Sequence, residues 1–168
     1  MQFEFATANR IIFGAGTVRR VPKLAAALGT RVLVVTGRQQ TRAATLLAEL
    51  TAVGLPYISV AARGEPTVET AHAAIAEARR ERCDLVIGIG GGSALDLAKV
   101  VAALITNDGH LEDYLEVIGA GGSIAKMAAP CIAIPTTAGT GAEVTRNAVL
   151  ASPADTVKVS MRSPLMLP

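Results

Sequence analysis

The sequence predicts an α/β fold with a doubly wound, mostly parallel sheet of the Rossmann-like kind, and three observations support this. Apolar runs at 31–36 and 84–89 lack polar alternation, which is typical of strands buried on both faces of a parallel sheet. Such runs alternate with segments of helical periodicity, the order that builds right-handed βαβ units. The length of 168 residues, 51% of them hydrophobic, fits one domain with a substantial core.

The first elements are marked by glycine. Short strands are predicted at 3–5 and 10–13, and a helix over 17–28 that Gly29 ends. The β-branched run at 31–36 predicts the first parallel strand. A helix over 40–52 follows, with Gly54 as its end signal.

The later elements repeat this alternation. Thr67 has the residue type of an N-cap for a helix that reaches 81. We predict strands at 57–61, 84–89 and 131–134, helices at 93–106 and 111–117, and a final antiparallel pair at 144–150 and 157–161.

Composition argues against several classes of function. A net charge of +2 without a basic run gives no electrostatic basis for binding nucleic acid. The chain has no apolar run of about 20 residues and no secretory leader, so we expect a cytoplasmic protein that does not enter membranes. Cys83 and Cys131 lack metal-ligand spacing and are predicted to be free, buried thiols. His72 is expected to face solvent, and His110 to lie at a solvated helix start rather than in a metal site.

The most informative motif is the glycine turn Gly90–Gly92 between a predicted strand and a predicted helix. Glycine lets a ligand approach the backbone, and the first amides of a helix attract phosphate. Ser93 is expected to cap the helix, with Asp96 as a capping-box partner or as a surface pair with Lys99. The alternative interpretation is a well-capped helix without a ligand.

Two further loops follow predicted strands at the same edge of the sheet. In the loop after 31–36, Gly37 occupies the place where an acidic residue often holds a ribose, and Arg38 and Arg42 follow. This favours NADP over NAD, since arginine can accept a 2′-phosphate; the alternative is two ordinary solvated arginines. The loop over 135–145 offers threonine hydroxyls and backbone amides suited to a ribose, an amide or a pyrophosphate, or it is simply a threonine-rich turn.

Taken together, these motifs resemble the iron-containing, or group III, alcohol dehydrogenase family. The matching segments are 13–16 (FGAG), 90–99 (GGGSALDLAK), 134–145 (IPTTAGTGAEVT) and 158–168 (KVSMRSPLMLP). The family's fold is similar to that of dehydroquinate synthase and glycerol dehydrogenase. The resemblance implies an N-terminal nucleotide-binding α/β domain followed by an all-helical domain.

The resemblance also implies roles for single residues. Gly37 matches a position where many NAD-using members carry Asp, which agrees with a preference for NADP, and Asp96 would lie near the nicotinamide. The other implied cofactor-binding residues are Gly91, Gly92 and Ser93 at the pyrophosphate, Thr136, Thr137 and Thr140 along the cofactor, and Lys158 at a ribose.

The family's metal, Fe²⁺ or Zn²⁺, is held by one Asp and three His of the helical domain, and no position here matches them. We therefore expect residues 1–162 to form the NAD(P)-binding domain and 163–168 to begin a linker. We also expect the chain to be a fragment, and inactive when isolated.

The leading hypothesis is the cofactor half of a metal-dependent alcohol dehydrogenase that interconverts a primary or small alcohol and its aldehyde or ketone. The alternatives are a maleylacetate reductase-type oxidoreductase and a stand-alone, non-catalytic nucleotide-binding domain. A homodimer is expected if residues 3–13 extend a partner's sheet.

Overall fold

The computed structural model describes residues 1–168 and has the predicted α/β architecture. A four-stranded parallel sheet has the order β2-β1-β3-β4, and a separate antiparallel pair is formed by β5 and β6. The strands are β1 (Val32–Thr36), β2 (Tyr57–Ala61), β3 (Leu85–Gly90), β4 (Cys131–Pro135), β5 (Asn147–Ser152) and β6 (Val157–Arg162).

Helices cover both faces of the parallel sheet, as doubly wound sheets require. The α-helices are α1 (Val21–Leu28), α2 (Ala44–Ala52), α3 (Val68–Arg80) and α4 (Gly92–Leu104). Single 3₁₀ turns lie at Thr17–Arg20, Gln40–Ala43, Leu111–Tyr114, Ala142–Val144 and Pro164–Met166. None of the helices is both long and apolar enough to cross a membrane.

The side chains of β1 alternate between two hydrophobic cores. Val32 and Val34 belong to the smaller core, with residues of α1 and α2. Leu33 and Val35 belong to the larger core, with residues of α3, α4, β5 and β6. Both sets are buried, which explains why β1 is apolar at every position before Thr36.

Helix α4 lies at the centre of the larger core, and ten of its thirteen residues are buried. It packs closely on β3 because β3 carries glycine where the helix crosses. A Cβ atom on Gly88 would lie 2.8 Å from the Cβ of Ala98, and one on Gly90 would lie 2.7 Å from the Cβ of Ala94. These two glycines bring the first turn of α4 directly to the end of β3.

Buried Asn107 fixes the chain that leads into β4. Its side-chain amide donates to the carbonyls of Ala103 and Lys126, at 2.8 and 2.9 Å. Its side-chain oxygen accepts from the backbone amides of Ala125 and Lys126, at 3.1 and 2.8 Å. The hydrogen-bonding groups of Asn107 are therefore paired although the residue is only 3% exposed.

Asp84 lies at the edge of the sheet where the parallel strands begin, and it anchors the start of β1. Its carboxylate accepts from the amides of Thr30 and Arg31 and from the Thr30 hydroxyl, at 2.7 to 2.9 Å. Desolvation raises the pKa of Asp84, but the Thr30 hydroxyl and the two amides outweigh it, so the pKa is lowered overall.

The predicted N-terminal strands at 3–5 and 10–13 were wrong, since residues 1–16 form no helix or strand. Strands need paired neighbours, and a two-stranded hairpin alone is marginal in water. The side-chain bond from this segment to the rest of the chain, from Thr7 to the Val144 carbonyl, is 3.4 Å long. Phe3, Phe5 and Phe13 are exposed.

Three predicted helices were too long. The one over 17–28 divides where Pro22 stands in the first turn of α1, because proline is tolerated there but not in a helix interior. The helix over 40–52 likewise begins as a 3₁₀ turn, and only such a turn forms within 111–117. The predicted Thr67 cap was confirmed, because its hydroxyl and that of Thr70 form a capping box.

His72 was expected to face solvent, and its side chain is 42% exposed, but it also pairs with a carboxylate. Its Nε2 lies 2.6 Å from Glu112 Oε1, which joins α3 to the 3₁₀ turn at Leu111–Tyr114. The hydrogen bond from His72 lowers the pKa of Glu112. His110 does start this turn, where its backbone amide donates to Asp113.

Candidate functional site

The topology itself locates a ligand site. From β1 the chain moves outward to β2, and it then returns to place β3 on the other side of β1. The connections after β1 and β3 therefore leave in opposite directions, and ligands bind at such a switch point beyond the carboxyl ends of the strands. Gly37 follows β1 and Gly90 ends β3, and the Gly37 amide donates to the Ile89 carbonyl at 3.0 Å.

The ends of β1 and β3 lie close together because neither Gly37 nor Gly90 carries a side chain. A Cβ on Gly90 would lie 3.1 Å from the Gly37 nitrogen and 3.2 Å from its Cα. A Cβ on Gly37 would in turn lie 3.6 Å from the Gly90 Cα. The two strand ends thus approach each other as bare backbone, with no side chain from either position to cover the adjacent loops.

Helix α4 presents unpaired amides at the same place. Gly91 is its N-cap, with extended backbone, and the Gly91 carbonyl accepts from the amides of Ala94 and Leu95. The amides of Gly92 and Ser93 precede the first intrahelical bond and have no protein acceptor. With the positive end of the helix dipole, they suit an anion such as phosphate.

The predicted cap by Ser93 was wrong. No side chain caps α4, and Ser93 lies inside the helix as its second residue. Because Gly91 is the extended N-cap, the helix starts at Gly92, one residue before the predicted start at 93. This outcome also weakens the alternative of a turn that serves only to cap the helix.

The threonine-rich loop after β4 closes over the glycine turn. The Thr136 amide donates to the Gly90 carbonyl at 2.8 Å. A Cβ on Gly91 would lie 3.3 Å from Thr137 Oγ1, and one on Gly92 would lie 2.9 Å from Thr140 Cγ2. The two motifs, far apart in sequence, thus form one surface.

A cleft of about 390 Å³ opens between these loops and the β5–β6 pair. It is lined by Glu65, Pro66, Gly92, Ser93, Asp96, Thr140, Ala142, Thr145, Asn147 and Val149. The sequence interpretation missed Glu65, Pro66, Asn147 and Val149. Their proximity depends on how β5 packs against α4, for which no local sequence signal exists.

Asp96 and Lys99 form an ion pair of 3.2 Å, as their spacing predicted, but the pair is not on the helix surface. The side chain of Lys99 is fully buried and that of Asp96 is 17% exposed. Asp96 Oδ2 also accepts from the Val149 amide at 3.2 Å. The pair therefore lies between the cleft and the larger core.

The other predicted cofactor-binding residues do not line this cleft; they are Gly37, Arg38, Gly91, Thr136, Thr137 and Lys158. Arg38 and Arg42 are exposed and form no ion pair, and the predicted contact of Arg38 with a 2′-phosphate stays a prediction. Lys158 on β6 pairs with Glu65 at 2.8 Å across the rim of the cleft. Its predicted contact with a ribose stays a prediction.

The chain brings no three His, Cys, Asp or Glu side chains together as a metal site. The thiols of Cys83 and Cys131 are free. Burial raises the pKa of Cys83 to about 11 and that of Cys131 to about 12, so neither is a reactive thiolate near neutral pH.

Comparison with known proteins points to one family of enzymes. Residues 8–168 match the family profile of the iron-containing alcohol dehydrogenases. A long-chain-alcohol dehydrogenase of Geobacillus thermodenitrificans is 54% identical over 86 residues, or 51% of this chain and 22% of the relative. The sulfoacetaldehyde reductase of Bilophila wadsworthia is 33% identical over 156 residues, or 90% and 39%.

Among solved structures, the sulfoacetaldehyde reductase of Bifidobacterium kashiwanohense, in complex with NAD⁺, superposes with a TM-score of 0.87 at 27% identity. The match covers 100% of this chain and 45% of that one. The chain therefore spans less than half the length of each protein compared. This structural similarity confirms the predicted fold over the whole length of the present chain.

Proposed function

Because this chain belongs to the iron-containing alcohol dehydrogenase family, we propose that it forms the nicotinamide-dinucleotide-binding part of an alcohol dehydrogenase. One observation supports this above all: the unpaired amides of Gly92 and Ser93, which follow the carboxyl end of β3, line a cleft. When bound, the dinucleotide supplies the hydride acceptor for a primary or small alcohol that becomes an aldehyde or ketone.

In this proposal each loop has its own task. The backbone of Gly91, Gly92 and Ser93 donates to the pyrophosphate. Thr136, Thr137 and Thr140 line the cofactor with hydroxyls, and Lys158 leaves Glu65 to reach a ribose hydroxyl. The fit rests on the glycine cradle, since a side chain at 90, 91 or 92 would press on Ala94, Thr137 or Thr140 and displace the elements that form the site.

The preference for NADP rests on Gly37 and the two unpaired arginines. A carboxylate at position 37 would repel a 2′-phosphate, whereas glycine leaves space and Arg38 offers a bidentate donor. NAD remains the second candidate, because a structural neighbour was solved with NAD⁺.

Calorimetric titration with NADPH and NADH tests both statements. Wild type is expected to bind NADPH more tightly, and Arg38→Ala should weaken NADPH binding about tenfold while leaving NADH binding unchanged. Arg80→Ala is the matched control, because α3 ends at the opposite edge of the sheet. Binding of neither nucleotide to wild type would refute the proposed function, and equal loss for both would refute the role of Arg38.

The glycine cradle has its own test. In Gly92→Ala the new methyl would lie 2.9 Å from Thr140 and displace the threonine-rich loop, so both nucleotides should bind more weakly. Gly64→Ala is the control, because its Cβ would meet open space. Unchanged affinity in Gly92→Ala would show that the ligand does not lie on this turn.

The metal of the family does not fit this chain, which brings together no set of donors for it. The resemblance places the Fe²⁺ or Zn²⁺ ligands in a helical domain. We therefore propose that the isolated 168-residue polypeptide binds nucleotide without oxidising alcohols. Formation of NADPH from an alcohol and NADP⁺ with added Fe²⁺ or Zn²⁺ would refute this.

A homodimer is the proposed assembly. Phe3, Phe5 and Phe13 are 83%, 80% and 99% exposed on a segment that pairs with no strand of its own chain. A second copy could pair with it and cover these rings. Light scattering should show a dimer that truncation of residues 1–13 dissociates, and a monomeric wild type would refute it.

A further inference from the structure

The charge of the cleft conflicts at first sight with phosphate binding. The charged residues among those that line it are two carboxylates, Glu65 and Asp96, and no cation. Asp96 is one helical turn beyond the unpaired amides of α4 and would repel an anion bound there. A lysine behind each carboxylate resolves the conflict: Lys158 pairs with Glu65 and Lys99 with Asp96.

Lys99 differs from Lys158 in its burial. It is 1% exposed, on a helix that is apolar on nearly every side. Besides Asp96, its amino group donates to the Thr145 carbonyl and hydroxyl, each at 3.3 Å, and to the Asn147 carbonyl. A fully paired ammonium group is thus kept where water cannot screen it, so its charge acts strongly on its neighbours.

Lys99 and Asp96 together bond the lining of the cleft to α4. Lys99 donates to backbone carbonyls at 145 and 147, and Asp96 accepts from the amide at 149. The pair therefore forms hydrogen bonds with the backbone of this part of β5, as a neighbouring strand would. Loss of Lys99 would leave the Asp96 carboxylate without its cation and the carbonyls at 145 and 147 without this donor.

We propose that Lys99 is a positioning residue of the nucleotide site: it holds the Asp96 carboxylate against β5 and cancels its charge, so that the cleft accepts phosphate. This rests on the proposed function for the identity of the ligand. Lys99 itself does not touch the ligand.

NADPH titration of charge-altered variants tests the proposal. Lys99→Met leaves Asp96 unopposed and should weaken binding about tenfold, whereas Asp96→Asn/Lys99→Met removes both charges and should recover most of that loss. Lys126→Met, an exposed lysine paired with Asp108 away from the cleft, should bind as wild type does. Val100→Ala, which loses apolar packing on the same helix, should be less stable with unchanged affinity.

Two results would overturn the proposal: wild-type affinity in Lys99→Met, or no recovery in the double variant. If Lys99→Met does not fold, Asp96→Asn decides. It keeps an oxygen for the Val149 amide but leaves the lysine charge unopposed, so it should bind about threefold more tightly, and weaker or equal binding would overturn the proposal.

A measurement without nucleotide separates this inference from the proposed function. Hydrogen exchange of the Val149 amide should accelerate in Lys99→Met and not in Lys126→Met. If wild type binds neither nucleotide, the proposed function fails, and this exchange rate alone decides about Lys99. Unchanged exchange would then overturn the inference.

Discussion

Gly90→Ala should reduce both the stability of the fold and its affinity for nucleotide. The added methyl would lie 2.7 Å from the Cβ of Ala94 and 3.1 and 3.2 Å from backbone atoms of Gly37. Carbon atoms in ordinary contact are about 3.5–4.0 Å apart, so the overlap with Ala94 is roughly 1 Å. None of these atoms can move by a rotamer change. Either α4 or the end of β1 must therefore shift.

The cost follows from measured effects of overpacking. Extra methyl groups in a well-packed core cost about 1–3 kcal/mol. For a domain of this size, about 2–4 °C of melting temperature correspond to each kcal/mol, so we expect a decrease of about 3–10 °C. Circular dichroism on heating gives the melting temperature, and calorimetry at a temperature where the variant is folded gives the NADPH affinity.

Gly88→Ala is the matched control. Its methyl would lie 2.8 Å from the Cβ of Ala98, an equally severe overlap on the same strand and helix but one turn further from the cleft. It should lower the melting temperature similarly and the affinity less. Wild-type stability in Gly90→Ala would refute the packing argument, and equal losses of affinity in both variants would refute its local effect on the site.

Three other predictions concern stability. Asn107→Leu should destabilise the fold by about 2–4 kcal/mol in urea unfolding, because the backbone groups that it pairs lose their partners in the interior; a loss below 1 kcal/mol would contradict this. The pKa of Asp84 is lowered in the folded state, so its contribution to stability is lost as the pH falls from about 5 to below 3.8. Asp84→Asn should flatten this acid dependence, and a pH profile identical to wild type would show that Asp84 does not contribute. Val117→Gly should stabilise by about 0.5–1 kcal/mol, since Val117 has a φ of 77°, whereas Val53→Gly, at a φ of −88°, should destabilise; the opposite order would refute the strain argument.

Much of the parallel sheet could be predicted from local pattern. The runs that became β1 and β3 are apolar at nearly every position because both of their faces are covered, and this pattern differs from that of a half-buried strand. The glycine turn and the threonine-rich loop were also recognisable, since they follow strands and are rich in residues that expose backbone amides.

The predictions failed where contacts with residues far away in the sequence determine the local structure. The segment at 3–13 has strand-like residues but finds no strand to pair with in this chain. The start of α4 was misplaced by one residue because Gly91, with extended backbone, and not Ser93 is its N-cap. Lys99 and Asp96 were recognised as a pair, yet their burial depends on β5, about fifty residues downstream.

By itself, the sequence determined the order of strands and helices from β1 onwards and which loops lie at the carboxyl edge of the sheet, because periodicity and glycine act over a few residues. Only the tertiary structure decided that Gly37, Gly90 and Thr136 meet at one switch point and that two carboxylates line the cleft with a lysine behind each. Hydrogen bonds between strands and charge pairing in a buried cleft depend on distances between residues far apart in the chain, and these distances exist only after the chain has folded.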